Sequence, residues 1–173
     1  AMLPRPPNHA DARAANRPTP KGARVLLWTM VVFIVYGSLF PCDFQATGST
    51  ADQIFEHWHP WRDRADAIDN FMLFVPLGVA LHFAFESRAA RWLAGAAAWL
   101  VLGLGLQWAQ LFVPGRVASF ADAINNAAGL VAGIALARLL TPWLARQRLL
   151  NPTADLFALL LVGLWYVYES YPF

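Results

Sequence analysis

Charged side chains are scarce in this sequence. Only 14% of its 173 residues are charged, 58% are hydrophobic, and the formal net charge is +2. Soluble domains usually carry about 25% charged residues. The composition therefore excludes an ordinary soluble domain and indicates that lipid solvates most of the chain.

Cysteine and the common catalytic motifs are also nearly absent. Cys42 is the single cysteine, which excludes an intramolecular disulfide and a metal cluster built on thiolates. No P-loop, Gly-x-Ser-x-Gly or His-Glu-x-x-His motif occurs. His57 and His59 lack a third ligand at informative spacing, so an aromatic interfacial segment is the better interpretation. We expect no metal, no other cofactor and no nucleic-acid partner.

Long apolar runs are what the chain does have. Five of them, at residues 25–40, 67–85, 92–113, 122–140 and 153–170, approach the roughly 20 residues that a bilayer-spanning helix needs. The fold class predicted is all-α, a polytopic transmembrane bundle of about five helices. We expect a disordered cytoplasmic tail at 1–24, a four-helix membrane domain at 25–140, and a cytoplasmic loop with the fifth transmembrane helix at 141–173.

The basic residues predict an orientation, because cytoplasmic loops retain an excess of Lys and Arg. With a cytoplasmic N-terminus, ten of the thirteen Lys and Arg residues lie in inside segments and three lie outside. The C-terminus is then outside the cell, and Cys42 lies just outside the first span.

Two helix starts are nearly identical in sequence. Residues 65–70 read ADAIDN and residues 121–126 read ADAINN, and both open an out-to-in span. The chain is therefore interpreted as two parallel copies of a helical hairpin plus a C-terminal helix. A pseudo-twofold axis along the membrane normal would bring equivalent polar residues together near the outer surface.

Polar side chains concentrate at these outer helix ends. Asp66 and Asn70 share one helix face because they are four residues apart, and Asp122 and Asn126 do the same. Gln107 and Gln110 also share a face. Such groups normally turn towards a bundle interior or a wet cavity. Alternatively, the aspartates are N-caps and the amides are interhelical hydrogen-bond partners.

Arg116 stands alone in the outer loop that precedes Asp122. It is a snorkelling side chain, an ion-pair partner of Asp122, or a guanidinium fork for a phosphate or carboxylate. On the fourth span, Gly129 and Gly133 form a small-xxx-small face, which indicates close helix packing.

Two segments resemble the VanZ-like family of membrane proteins. Residues 66–78 are similar to its Asp-x3-Asn-x3-Phe-x-Pro-Leu-Gly segment, and residues 110–129 to its Gln-x3-Pro-Gly-Arg-x-x-Ser/Asp-x-x-Asp-x3-Asn-x-x-Gly segment. The matched residues are Asp66, Asn70, Phe74, Pro76, Leu77, Gly78, Gln110, Pro114, Gly115, Arg116, Ser119, Asp122, Asn126 and Gly129. Relatives usually carry Glu at the position of Gln107, so any carboxylate chemistry of the family at that position does not carry over to this chain.

The resemblance implies a bacterial cell-envelope protein of the inner membrane, in a family named for a protein associated with teicoplanin resistance. We expect it to bind or handle a membrane lipid or a lipid-linked anionic precursor in a polar pocket at the outer face. A membrane enzyme using Asp66 and Asp122 as an acid/base pair, or a small transporter or flippase, are the alternatives. The oligomeric state is left open. The predicted ligand-binding residues are Asp66, Asn70, Gln107, Gln110, Arg116, Ser119, Asp122 and Asn126.

Overall fold

The computed structural model describes residues 20–46, 48, 50–56 and 64–144, and all regular structure in these ranges is helical. Four helices are long: α1 (Pro20–Leu39), α3 (Arg64–Ala84), α4 (Arg88–Gln110) and α5 (Phe120–Leu144). The short α2 (Gln53–Glu56) lies in the loop between α1 and α3. The predicted fifth span, most of the N-terminal tail, and His57 and His59 lie outside the described residues.

The four long helices are each long and apolar enough to cross a membrane. The prediction of an all-α, polytopic membrane protein is therefore confirmed. Helix α1 begins at Pro20, five residues before the apolar run, and proline is favoured in the first turn because its missing N–H has no helical partner there. The polar residues 64–66 likewise form the first turn of α3. The apolar runs thus predicted where the spans lie, but they missed the first turns of α1 and α3, which are polar.

Helices α3 and α5, which begin with the repeated sequence, pack directly against each other. Gly129 lies against the backbone carbonyl of Phe71, and Gly133 lies against that of Val75. Both contacts advance by four residues, so the two helices run in the same direction. A Cβ atom at either glycine would collide with the opposing backbone. The small-residue packing face predicted from Gly129 and Gly133 is confirmed.

Helices α1 and α4 complete the bundle around this pair. Helix α1 packs mainly on α3, and the middle of α4 packs on α5. Ile34 of α1 and Phe74 and Leu77 of α3 are completely buried in the main hydrophobic cluster. Leu106 of α4 and Leu130 of α5 join the same cluster, so all four long helices share one core.

Helix α4 contains a π-helical segment, Trp99–Leu104, between the α-helical segments Arg88–Ala98 and Gly105–Gln110. Gly103 makes room for the Trp99 indole, since a Cβ atom there would lie 2.7 Å from Trp99 Cδ1. The indole Nε1 donates a hydrogen bond of 2.7 Å to the Ala123 carbonyl. This contact ties the middle of α4 to the first turn of α5.

Candidate functional site

The predicted site residues lie at one end of the bundle, which we call the loop end. It comprises the C-terminal ends of α1 and α4, the loop of residues 111–119, and the first turns of α3 and α5. The opposite end, with the α1 N-terminus, residues 82–91 and Arg138, we call the basic end. Because α3 and α5 are parallel, both repeated helix starts lie at the loop end.

The loop after α4 begins with a β-turn that its Pro-Gly sequence specifies. The Arg116 N–H donates to the Val113 carbonyl at 3.2 Å, which closes a turn with Pro114 and Gly115 at its centre. Gly115 has a φ of +80°, as the third residue of a type II turn requires. Proline favours the second position by its fixed φ. The turn therefore fixes where the Arg116 side chain leaves the backbone.

Ser119 and Gln107 together form the junction at which α5 begins. Ser119 Oγ accepts a hydrogen bond of 3.2 Å from the Ala121 N–H, as an N-cap does. The Ser119 N–H donates to Gln107 Oε1 at 2.9 Å, and both residues are buried. In a capping box, an acidic residue of the same helix accepts this N–H. Here the acceptor comes from α4, so the start of α5 is anchored to a neighbouring helix.

Gln110 and Arg116 bind the C-terminal end of α1. Gln110 Nε2 donates to the Ser38 carbonyl at 3.0 Å. Arg116 Nη2 donates to the carbonyls of Gly37 and Phe40 at 3.0 and 3.2 Å. Carbonyls at a helix C-terminus lack helical partners and carry partial negative charge, so a guanidinium is well suited to them. Helix capping was absent from the sequence-based interpretations of Arg116.

The polar residues of α3 and α5 differ in their environment although their sequences match. Asn70 is half-buried, and its Nδ2 donates to the Asp66 carbonyl of its own helix at 2.9 Å. Asn126 is only 3% exposed, and its Oδ1 is buried without a hydrogen-bond partner. Asn125 Nδ2 is also buried without a partner. The second copy of the repeat thus holds two unsatisfied amide atoms.

The predicted set is only partly brought together in the interior. Gln107, Ser119 and Asn126 are buried, Gln110, Asn70 and Asp122 are half-buried, and Asp66 and Arg116 are exposed. The sequence interpretation missed Trp99 and Asn125. The doubled amide at 125–126, where the first copy has Asp69-Asn70, was the available signal for Asn125.

Two other features bear on what this end can bind. Within the described ranges, no group of three or more His, Cys, Asp or Glu side chains could hold a metal ion. A groove of about 650 Å³ exists, but it runs along the exposed face of α1 between Arg24 and Tyr36, lined by Trp28 and Phe33 among others. Since α1 alone supplies its described lining, it resembles an ordinary lipid-facing surface.

The comparison with known proteins supports the resemblance. No curated protein and no solved structure gives a significant match to the chain. The family model described as VanZ/LLP1 matches residues 24–141, which include α3, α4 and most of α1 and α5. Since this match covers more than half of the sequence, the chain belongs to the VanZ/LLP1 family.

Proposed function

We propose that the loop end binds the head group of an amphiphile, a membrane lipid or a lipid-linked envelope precursor that carries both an anionic group and hydroxyl groups. The observation that carries this proposal is the buried Asn126 Oδ1 without a partner. A buried acceptor left unsatisfied costs about 1–3 kcal/mol, so its retention needs a compensating role. A ligand hydroxyl would supply the missing donor.

The neighbouring Asn125 and Arg116 suggest the rest of the head group. Asn125 Nδ2 is an unsatisfied donor on the same helical turn as the unsatisfied acceptor, and a sugar or polyol carries several hydroxyls, so separate hydroxyls could pair with the two amides. Arg116 is exposed and uses Nη2 for both of its bonds to α1. A guanidinium has five N–H donors, which leaves donors for a phosphate or carboxylate.

The proposal includes the orientation and location expected from the sequence, with the loop end outside the cytoplasmic membrane of a bacterium. It also includes the link to glycopeptide resistance that the family resemblance implies. Asp66, Asn70, Asp122 and the two glutamines would then border the head group or hold the helices around it.

Removing the Asn126 amide tests the proposal. Asn126→Leu has similar volume and deletes the unsatisfied acceptor, so we expect thermal stability to stay equal or rise. Lipid that copurifies with the wild type should fall by about tenfold, as expected for one lost buried hydrogen bond. The measurement is native mass spectrometry, with the thermal midpoint in the same detergent.

Thr29→Val is the matched control, because the Thr29 hydroxyl bonds only to the Val25 carbonyl of its own helix on the exposed face of α1. It should leave the lipid profile unchanged. Arg116→Lys should lose the anionic lipid nearly as completely as Arg116→Ala, since an ammonium holds its donors at one point and cannot bond to the α1 carbonyls and to a head group beyond them. Identical lipid profiles for all these variants would refute a head-group site at the loop end.

A membrane enzyme is the second candidate, favoured by the parallel packing of α3 and α5. That packing brings the Asp66 and Asp122 turns to the same end of the bundle. Asp122→Asn separates the two functions. A binding protein should keep its lipid, whereas an enzyme that moves a proton through Asp122 should keep its lipid and lose turnover.

A further inference from the structure

The basic end contains a cluster of three basic side chains, each from a different helix. His82 lies in the last turn of α3, Arg91 in the first turn of α4, and Arg138 near the end of α5. Val79 and Phe83 of α3 pack in one hydrophobic cluster with Ala137 and Leu140 of α5, which brings the helices together at this depth. Gly95 of α4 faces the Ile134 side chain of α5, and these two residues lie one turn from Arg91 and Arg138 respectively.

Arg91 is held in place but is incompletely satisfied. Its Nη2 donates to the carbonyls of Phe85 and Glu86 at 3.0 and 3.5 Å, where α3 ends. Its Nε is buried without a hydrogen-bond partner, and so is Nδ1 of His82. These two unsatisfied polar atoms, on adjacent helices, are free to bond to a group that offers several hydrogen-bonding oxygens.

The local charge favours an anion as that group. Glu86 is the one acidic residue of the described chain at this end, and it is exposed. In the part of the chain that the structure describes, no hydrogen bond joins its carboxylate to Arg91 or Arg138. Lys21, Arg24 and Arg88 add further positive charge to the same end. Basic pockets between membrane helices at head-group depth are suited to phosphate.

From these contacts we infer a phosphate site at the basic end, between α3, α4 and α5, with Arg91 and Arg138 binding the phosphate and His82 contributing a ring nitrogen. The side chain of Arg138 is exposed and available to solvent or head groups. This site is separate from the loop end and does not depend on the function proposed there.

Arg138→Gln is the cleanest test, because this exposed side chain has no hydrogen bond within the described ranges and its loss should not unfold the bundle. The full-length protein would be titrated with phosphatidylglycerol and, separately, with phosphatidylcholine, and bound lipid counted by native mass spectrometry. We expect Arg138→Gln to reduce bound phosphatidylglycerol by about tenfold, the effect of one charge-assisted hydrogen bond.

Arg88→Gln is the matched control. It removes the same charge from the same end, at an exposed position outside the cluster, and should give a much smaller loss. His82→Gln keeps a hydrogen-bonding side chain, so its loss of bound phosphatidylglycerol should lie between those of Arg138→Gln and Arg88→Gln. Equal losses for Arg138→Gln and Arg88→Gln would show general surface attraction and overturn the inference, and so would no loss in either.

The source of the phosphate is resolved by competition. If millimolar inorganic phosphate displaces phosphatidylglycerol from the wild type, the site takes free phosphate as well as lipid. If it does not, the lipid tails contribute and the ligand is a phospholipid. Loss of lipid from Asn126→Leu but not from Arg138→Gln would remove this site while leaving the loop-end proposal intact.

Discussion

Gln107 of α4 lies at the junction with the start of α5, and one hydrogen bond defines which side chains this position can accept. Its Oε1 accepts the Ser119 N–H that opens α5, in a buried environment. A glutamate, which relatives usually carry here, also offers an acceptor oxygen and adds negative charge near a helix N-terminus. The structural requirement is therefore an acceptor of this length, and it does not distinguish an amide from a carboxylate.

Two substitutions of Gln107 separate the effect of its acceptor oxygen from the effect of a negative charge. Gln107→Leu leaves the Ser119 N–H buried without an acceptor, so it should destabilise the protein by about 1–3 kcal/mol. Gln107→Glu should lose less stability than Gln107→Leu, because the carboxyl group still accepts the same N–H although its burial costs desolvation. The midpoint of thermal unfolding in detergent measures both. A glutamate variant as unstable as the leucine variant would contradict this role.

The partners of the polar residues were less predictable than their location. The sequence predicts Gln110 and Arg116 near the outer ends of the spans. It did not reveal that both donate to carbonyls at the end of α1, because those partners lie 72 to 79 positions away along the chain. Helical periodicity specifies which residues share a face, but it contains no information about which distant backbone groups remain unsatisfied.

At the level of elements, the closest packing is that of α3 on α5. Gly129 and Gly133 allow these backbones to touch, with Gly78 of α3 facing the same contact. In a membrane, van der Waals packing replaces the hydrophobic effect between helices, so this close approach is a main source of stability. The spacing of Gly129 and Gly133 predicted this contact, because residues four apart place their small side chains on the same helix face.

Gly133→Ala should push α3 and α5 apart, since the new methyl group would meet the Val75 carbonyl. We expect a loss of about 1–3 kcal/mol of stability, as for an overpacked core. Gly37→Ala is the control, because a Cβ atom there meets nothing within 4 Å. It should be neutral or slightly stabilising by helix propensity. Equal unfolding midpoints for both variants would disprove a tight α3–α5 contact.

Helix α4 contains a feature that the sequence did not predict. Its apolar run predicted one continuous span, and the structure has one at Arg88–Gln110. The π-helical segment within it was not predicted, because hydropathy does not report the number of residues per turn. The packing of Trp99 against Gly103 and its bond to Ala123 provide a structural setting for it, and they involve a helix 24 residues further along the chain.

For the whole molecule, the four spans and the family were predictable, whereas the orientation still rests on the charge distribution. The loop end carries the exposed Cys42, three residues after α1 ends. A membrane-impermeant thiol reagent should therefore label Cys42 in intact cells. As a matched probe, Ala89→Cys in a Cys42→Ser chain puts an exposed thiol at the basic end and should be labelled only after lysis. The reverse pattern would invert the topology.

The π-helical segment of α4 also sets the angular relation between the two halves of that helix. Each residue of an α-helix advances the side-chain direction by about 100°, and a π-bulge behaves as one inserted residue. If the same residues formed a continuous α-helix instead, Gln107 and Gln110 would turn by about 100° relative to Arg91, whereas deleting one residue from Trp99–Leu104 should restore an α-helix and leave this relation unchanged. The inserted residue keeps both ends of α4 in phase, so that one helix can contact α3 at the basic end while its amides reach α1 and α5 at the loop end.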